Sequence, residues 1–384
     1  MHSFWSEWPR AVRVALGLVW AALWAQGAWA QAVVTDLAGR SVRAPARVER
    51  ILLGEGRMLP LLAVLERDAV MRRLVGMPAD FEKLDPAGYA QYLQRFPELA
   101  LVPRTGRTTG ESFSVEKAIA LRPDLAIFGL GGHGPSPKDT ETLARLHAAG
   151  VVVVFIDVRQ EPLHNTVPSV ELLGQVLGRR SQAAEFVSVY RDEMARVTQR
   201  LARAQPRLPT VLLENRVGLN EECCDTMSNG MMGRLLEAAG GRNMAAPLIP
   251  GAYGTLSLEY VLSHPPQVYI GTAIGAADSV ARTPNTIVLG ARVDAATAQA
   301  SLRRVTQRRG VQHLATFKTA RVHGIWHHFY TSPFHVAAVQ AMARWLHPQL
   351  FADLDPRATL QRLYQRFQPV PLSGEYWVSL EETQ

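Results

Sequence analysis

Apolar positions along this chain fall into two alternating patterns, short continuous runs and stretches with helical spacing. The runs Arg50–Gly54, Arg73–Gly76, Asp124–Phe128 and Val151–Ile156 are rich in Leu, Ile and Val, and each reads as a strand. Between the last two, Thr140–Ala149 sets Leu143 and Leu146 on one helical face. Strands that are apolar on both faces and separated by helices predict a parallel sheet covered on both sides. A long helical region follows over Thr166–Ala204, with a break predicted at Gly178-Arg179. Its second half repeats Phe186, Tyr190, Met194, Val197 and Leu201 at intervals of three or four, until Pro206 and Pro209 stop it. A second α/β set then begins: strand Thr210–Glu214, helix Met231–Ala239, strand Gln267–Ile270, and helices over Val336–Leu346 and Arg357–Phe367.

The fold class expected is therefore α/β, two Rossmann-like lobes with mainly parallel sheets joined by one long backbone helix, with a ligand cleft between them. The domains read as 1–30 signal peptide, 31–164 N-terminal lobe, 165–205 connecting helix, 206–350 C-terminal lobe, and 351–384 C-terminal helix and tail.

The segment 1–30 sets the expected compartment. Arg10 and Arg13 precede a short apolar run, and Ala28-Trp29-Ala30 supplies small residues at the cleavage positions, so a secretory signal cut before Gln31 is expected. The run is too short for a spanning helix. No cysteine lies near the cut, which argues against a lipoprotein, and the two arginines are not adjacent, which argues against twin-arginine export. The expected location is the periplasm. Removing the signal changes the net charge from +7 to +6. That excess suits an anionic guest, but the basic residues are scattered, so no nucleic-acid partner is expected. Cys223 and Cys224 are neighbours. Across a trans peptide their Cα atoms would lie about 3.8 Å apart, short for a bridge, so free thiols are favoured.

Gly129-Leu-Gly131-Gly-His-Gly134 fits the dinucleotide-binding pattern, with Asp157 ending the next strand. Pro135 and Pro137 stand where the phosphate-binding helix should already run, so a loop lining a cleft is the better reading. Nothing matches a hydrolase motif, and no enzymatic activity or cofactor is expected.

The two lobes carry one matching segment. Ser114-Val-Glu116 through Pro123 to Ile127 aligns without a gap to Ser257-Leu-Glu259 through Pro266 to Ile270. Each Ser can cap a short helix and each Glu suits the helix's positive end, which explains the pair as capping alone.

With these features the chain resembles the periplasmic substrate-binding proteins of ABC importers for iron–siderophore complexes and cobalamin. The likeness is strongest over Val33–Ile51, Phe113–Phe128, Gly233–Ala245 and Leu256–Ile270. The stretches Trp326–Phe334 and Leu350–Pro356 look like the iron-complex branch. The resemblance implies rigid lobes with small closure on ligand, and a monomer is expected. It also implies that Glu116 and Glu259, one per lobe, dock on arginines of the permease subunits at the inner membrane.

A ferric siderophore arrives with its iron already coordinated, so its receptor needs guanidiniums and aromatic faces rather than metal ligands. Loops at strand ends offer Arg57, Arg104, Arg107, Arg216 and Tyr253, and the aromatic segment offers Trp326, His327, His328 and Tyr330. The same histidines, with His323 and His335, support the alternatives: a bare metal ion, haem or cobalamin. Adjacent His327 and His328 would point to opposite faces of a strand, which argues against a shared ion. A dinucleotide-dependent exported enzyme is the reading least favoured.

Overall fold

The computed structural model describes residues 33–220, 223–276, 283, 285–318 and 321–380, so the signal-peptide reading lies outside the described residues. A short antiparallel pair, β1 (Val33–Thr35) and β2 (Ser41–Arg43), opens the described chain. The N-terminal sheet then forms from β3 (Ile51–Leu53), β4 (Leu74–Gly76), β5 (Leu125–Gly129) and β6 (Val152–Ile156). Its order is β4-β3-β5-β6 and every pairing is parallel. Almost every residue of these strands is buried, as continuous apolar runs require when helices cover both faces. Those helices are α1 (Leu59–Glu66), α2 (Asp80–Leu84), α3 (Pro86–Arg95), α4 (Val115–Ala120) and α5 (Thr140–Ala148).

The connecting segment is two helices, α6 (Pro162–Val176) and α7 (Arg180–Ala204). They part at Gly178, whose φ of +68° only glycine adopts without strain. The apolar stripe of α7 packs against α6 and α1 on one side. On the other it meets α11 (His335–Leu346), which belongs to the C-terminal lobe. Phe186 lies at its centre, with ring centroids 6.0 Å from Tyr190, 6.2 Å from Phe334 and 5.2 Å from Phe367. One core runs through both lobes beneath this brace.

The second sheet is built on β7 (Thr210–Glu214), β11 (Val268–Ala273) and β12 (Val322–Trp326), parallel to one another. Its flanks are β8 (Asp225–Met227), β9 (Arg242–Asn243), β10 (Tyr253–Thr255) and β13 (Trp377–Ser379). Of these, β9 joins β7 in parallel, while β8, β10 and β13 pair antiparallel. The chain's last described strand thus belongs to this sheet, order β10-β8-β7-β11-β12-β13. Helices α8 (Met232–Ala238), α9 (Leu258–Ser263), α10 (Ala295–Thr306), α11 and α12 (Pro356–Phe367) complete the lobe. No helix among the described residues is long and apolar enough to cross a membrane.

The free-thiol expectation for the cysteines is corrected: Cys223 and Cys224 are disulfide-bonded.

Candidate functional site

Parallel strands end together, so the loops after β3, β5 and β6 gather at one edge of the first sheet, and those after β7, β11 and β12 at one edge of the second. The two edges meet, as open α/β sheets commonly arrange their binding crevices.

Arg57 holds the centre of this seam. It lies in a 3₁₀ turn just past β3, and its side chain is only 5% exposed. Asp80, the first residue of α2, fixes the turn by accepting from the Gly56 N–H at 2.6 Å and from Arg57 Nε at 3.2 Å. From the opposite lobe, the turn after β12 brings His328 and Tyr330. Arg57 Nη1 donates to His328 Nδ1 at 3.1 Å and to the Tyr330 hydroxyl at 3.3 Å. His328 Nε2 donates back across the seam to the Leu84 carbonyl at 2.8 Å. Beside them Arg159, two residues past Asp157, donates to Glu55 at 2.6 Å and lies 5.3 Å from the Tyr330 ring. Arg57 Nη2, 3.6 Å from Glu55, is buried and makes no hydrogen bond.

Burial and charge set the protonation states. Burial pushes the Glu55 carboxyl up, but Arg159 and Arg57 outweigh it and the net shift is downward. Burial likewise raises the Tyr330 phenol, and the same two guanidiniums bring it below its ordinary value. Asp80 moves up because burial exceeds the pull of Arg57. His328 is driven down to about 3, first by burial and then by Arg57. His327 falls for the same reasons, with His328, Arg57 and Arg216 all adding to burial. The histidines are therefore neutral acceptors and donors at pH 7.

The glycine loop after β5 presses on this cluster. A Cβ at Gly132, where φ is +140°, would lie 2.2 Å from Glu55 Oε1, and one at Gly134 would lie 2.4 Å from the Gly54 carbonyl. Close packing over the charged floor thus accounts for the glycines. Asp157 accepts from the N–H groups of Arg159, Gln160 and Glu161 and from Asn165 Nδ2, so its carboxylate shapes the loop into α6 and is not free for a ribose. The loop also reaches the second lobe. Met231 N donates to the Gln160 carbonyl at 3.2 Å, and Arg234 approaches Glu161 at 3.4 Å.

The structure gathers Arg57, Trp326, His327, His328 and Tyr330 in one cluster. The Trp326 ring lies 5.2 Å from His328, and the His327 ring 4.8 Å from Tyr330. His327 Nδ1 is 3.1 Å from Thr272 Oγ1, which also accepts from the Arg216 N–H at 2.7 Å. Arg216 stands exposed at the seam's mouth. Three candidates sit elsewhere. Arg104 donates to the Val102 carbonyl and the Tyr89 hydroxyl inside its own lobe, Arg107 is an exposed loop residue, and Tyr253 is 68% exposed on strand β10. Sequence reasoning missed Glu55, Asp80 and Arg159. Their position just beyond strand ends was the available signal for Glu55 and Arg159.

Glu116 and Glu259 are both exposed, each in the first turn of a short helix capped by its serine: Ser114 accepts from Lys117 N and Ser257 from Tyr260 N. They differ in one respect. Glu116 pairs with Arg145 at 2.8 Å, while Glu259 has no ion-pair partner among the described residues.

Two voids flank Arg57 at the seam, of about 50 Å³ and about 20 Å³. Among the described residues no three His, Cys, Asp or Glu side chains are grouped to hold a metal ion.

No protein of curated function matches the sequence. Solved structures do. FepB of Veillonella parvula, a TroA-like periplasmic binding protein, superposes with a TM-score of 0.80 at 25% identity, covering 91% of this chain and 99% of its own. MolA of Haemophilus influenzae, a molybdate periplasmic binding protein, gives 0.66 at 20% identity, over 90% and 100%. A periplasmic heme-binding protein of Pseudomonas aeruginosa gives 0.54 at 20%, over 79% and 94%. The latter two likenesses speak to the fold alone. The family model for periplasmic binding proteins matches residues 87–325, well over half the chain. With two lobes, a bracing helix and the cleft between sheet edges in place, the chain belongs to the periplasmic binding protein family.

Proposed function

We propose that this protein is the soluble receptor of an ABC importer, that it captures an iron(III)–siderophore complex between its lobes, and that it hands the complex to an inner-membrane permease. It performs no chemistry on its cargo. The observation that carries this reading is Arg57: a buried guanidinium held by both lobes, with one nitrogen left without a hydrogen-bond partner. A buried N–H without a partner costs free energy unless something else satisfies it, and a carboxylate or catecholate oxygen is the natural acceptor. Arg159 and Arg216 add positive charge, and Trp326 offers an aromatic face. Export through a cleaved signal over residues 1–30 and a monomeric, unlipidated mature chain complete the proposal. The exposed carboxylates of Glu116 and Glu259, one on each lobe, are the proposed permease contacts.

The void volumes favour a second reading. At about 50 Å³ and 20 Å³ they hold water-sized species, so a chelate requires the lobes to part further than rigid closure implies. A small oxyanion beside Arg57 would demand less of that opening.

Tryptophan fluorescence of the mature protein separates the readings. Ferric hydroxamate, ferric catecholate, ferric citrate, haem, cobalamin, molybdate, Zn²⁺ and Ni²⁺ are titrated in turn. Saturable quenching by a ferric chelate, absent with the iron-free chelator, supports the proposal. A response to molybdate alone selects the oxyanion reading, and a response to bare ions alone overturns both.

A further inference from the structure

A second positively charged site lies at the other end of β12. There a groove of about 610 Å³ opens between the amino end of that strand, the last turn of α11 and the first turn of α12. Arg321, Arg344 and Arg357 all line it, and none has a carboxylate within ion-pair distance among the described residues. Each is instead tethered by a main-chain carbonyl. Arg344 Nη1 donates to Leu354 O at 2.9 Å, Arg357 Nη1 to Gly374 O at 2.6 Å, and Arg321 Nη2 to Trp345 O at 3.4 Å. A carbonyl fixes a guanidinium in place without cancelling its charge. Asp355 also borders the groove and caps α12 through the Ala358 N–H at 3.0 Å; its carboxylate offsets one of the three positive charges and leaves the groove with a net excess of two.

The walls are aromatic and ordered. Trp345 stacks on His323 at 4.4 Å with the planes 4° apart, and His323 in turn meets Ser379 Oγ at 2.8 Å. Trp377 forms the facing side from β13. Three like charges gathered in one groove repel one another, and the tethers hold them there. A multivalent anion would relieve that repulsion while using the guanidinium N–H groups that the carbonyls leave free.

We propose that this groove is a second anion site, separate from the interlobe seam, which takes a small multivalent oxyanion such as phosphate or a polycarboxylate. Calorimetric titration with inorganic phosphate and with citrate, against sodium chloride at matched ionic strength, tests it. Saturable binding beyond the chloride control is expected, together with a change in the emission of Trp345 and Trp377. The double variant Arg344→Gln/Arg357→Gln should weaken binding roughly tenfold or more, the loss that follows removal of charge-assisted hydrogen bonds. Its circular dichroism should match the unaltered protein, and its melting temperature should fall only slightly, since Arg344 is exposed, Arg357 is half-buried, and each gives up a single carbonyl tether. Arg159→Gln, which alters the seam, should leave phosphate binding at the groove unchanged. The proposal is overturned if phosphate gives no more heat than chloride. It also falls if binding survives the double substitution, or if it disappears with Arg159→Gln.

Discussion

The seam between the lobes and the outer face of the C-terminal lobe use arginine in opposite ways. At the seam, Arg57 and Arg159 are buried against Glu55 and Asp80, and the neutral histidines and Tyr330 fill the remaining contacts. At the outer groove, Arg321, Arg344 and Arg357 are held by main-chain carbonyls and have no carboxylate partner among the described residues. One strand, β12, separates the two, with Arg321 just before it and His327 to Tyr330 just after. Burial imposes the difference. A charge removed from water has to be matched by an opposite charge, whereas one left in water does not. Removing a seam charge should therefore cost far more stability than removing one at the outer groove.

Arg57→Ala should produce the largest effect. It removes one partner of a buried network and leaves Asp80 without its guanidinium, which for such pairs costs about 3–5 kcal/mol. Urea unfolding would show the loss, and if the cleft holds a ferric chelate, affinity for it falls as well. Arg344→Ala at the groove should move the same midpoint by no more than about 0.5 kcal/mol. Equal costs at the two positions would break the comparison.

Acid should come next. Burial holds His328 near 3 and His335 near 4, and lowers His327 as well. Their folded values lie below the unfolded value, so between these values and pH 6.5 the unfolded chain binds more protons. Stability is then lost as pH falls through that window, by about 1.4 kcal/mol per pH unit for each group in play. Asp85 opposes this: burial raises it to about 6, so acidification from pH 6 to 4 favours the folded state through that group. The histidines outnumber it, and the melting temperature should drop from pH 7 to pH 4. Asp80, also raised by burial, opposes the drop in the same sense; Asp85→Asn removes one of these opposing groups and should steepen the drop. A melting temperature that rises on acidification would show that the seam histidines are not held neutral.

Much of the fold was legible because it is encoded locally. The four N-terminal strands are apolar runs, the break between α6 and α7 falls at Gly178, and both serine caps stand where their Ser-x-Glu segments place them. The flanking strands β8, β10 and β13 were not anticipated. Each is only three residues long, and their partners rather than their own patterns make them strands. The site was legible in part. Arg57 and the aromatic turn after β12 announce themselves by residue type. The pairing of Glu55 with Arg159, 104 positions apart, leaves no local trace. Arg104 shows the reverse failure, a guanidinium in a suggestive loop that is used to hold a carbonyl in its own lobe.

A small effect on folding, and the sharpest test of surface recognition, concerns Glu116 and Glu259. Both are exposed, so charge reversal at either should shift unfolding by no more than about 1 kcal/mol. The two should not behave identically. Glu259→Arg removes no ion pair among the described residues, whereas Glu116→Arg places a second guanidinium beside Arg145 and loses a 2.8 Å contact. A slightly larger cost is therefore expected at Glu116, of the size that exposed pairs contribute. If the two carboxylates are the permease contacts, the double reversal abolishes uptake in cells carrying the importer while ferric-chelate affinity stays as it was. If they serve only as helix-end charges, uptake survives reversal. Loss of chelate affinity in step with uptake would instead assign them to the cleft, against their position on the outer surface of each lobe.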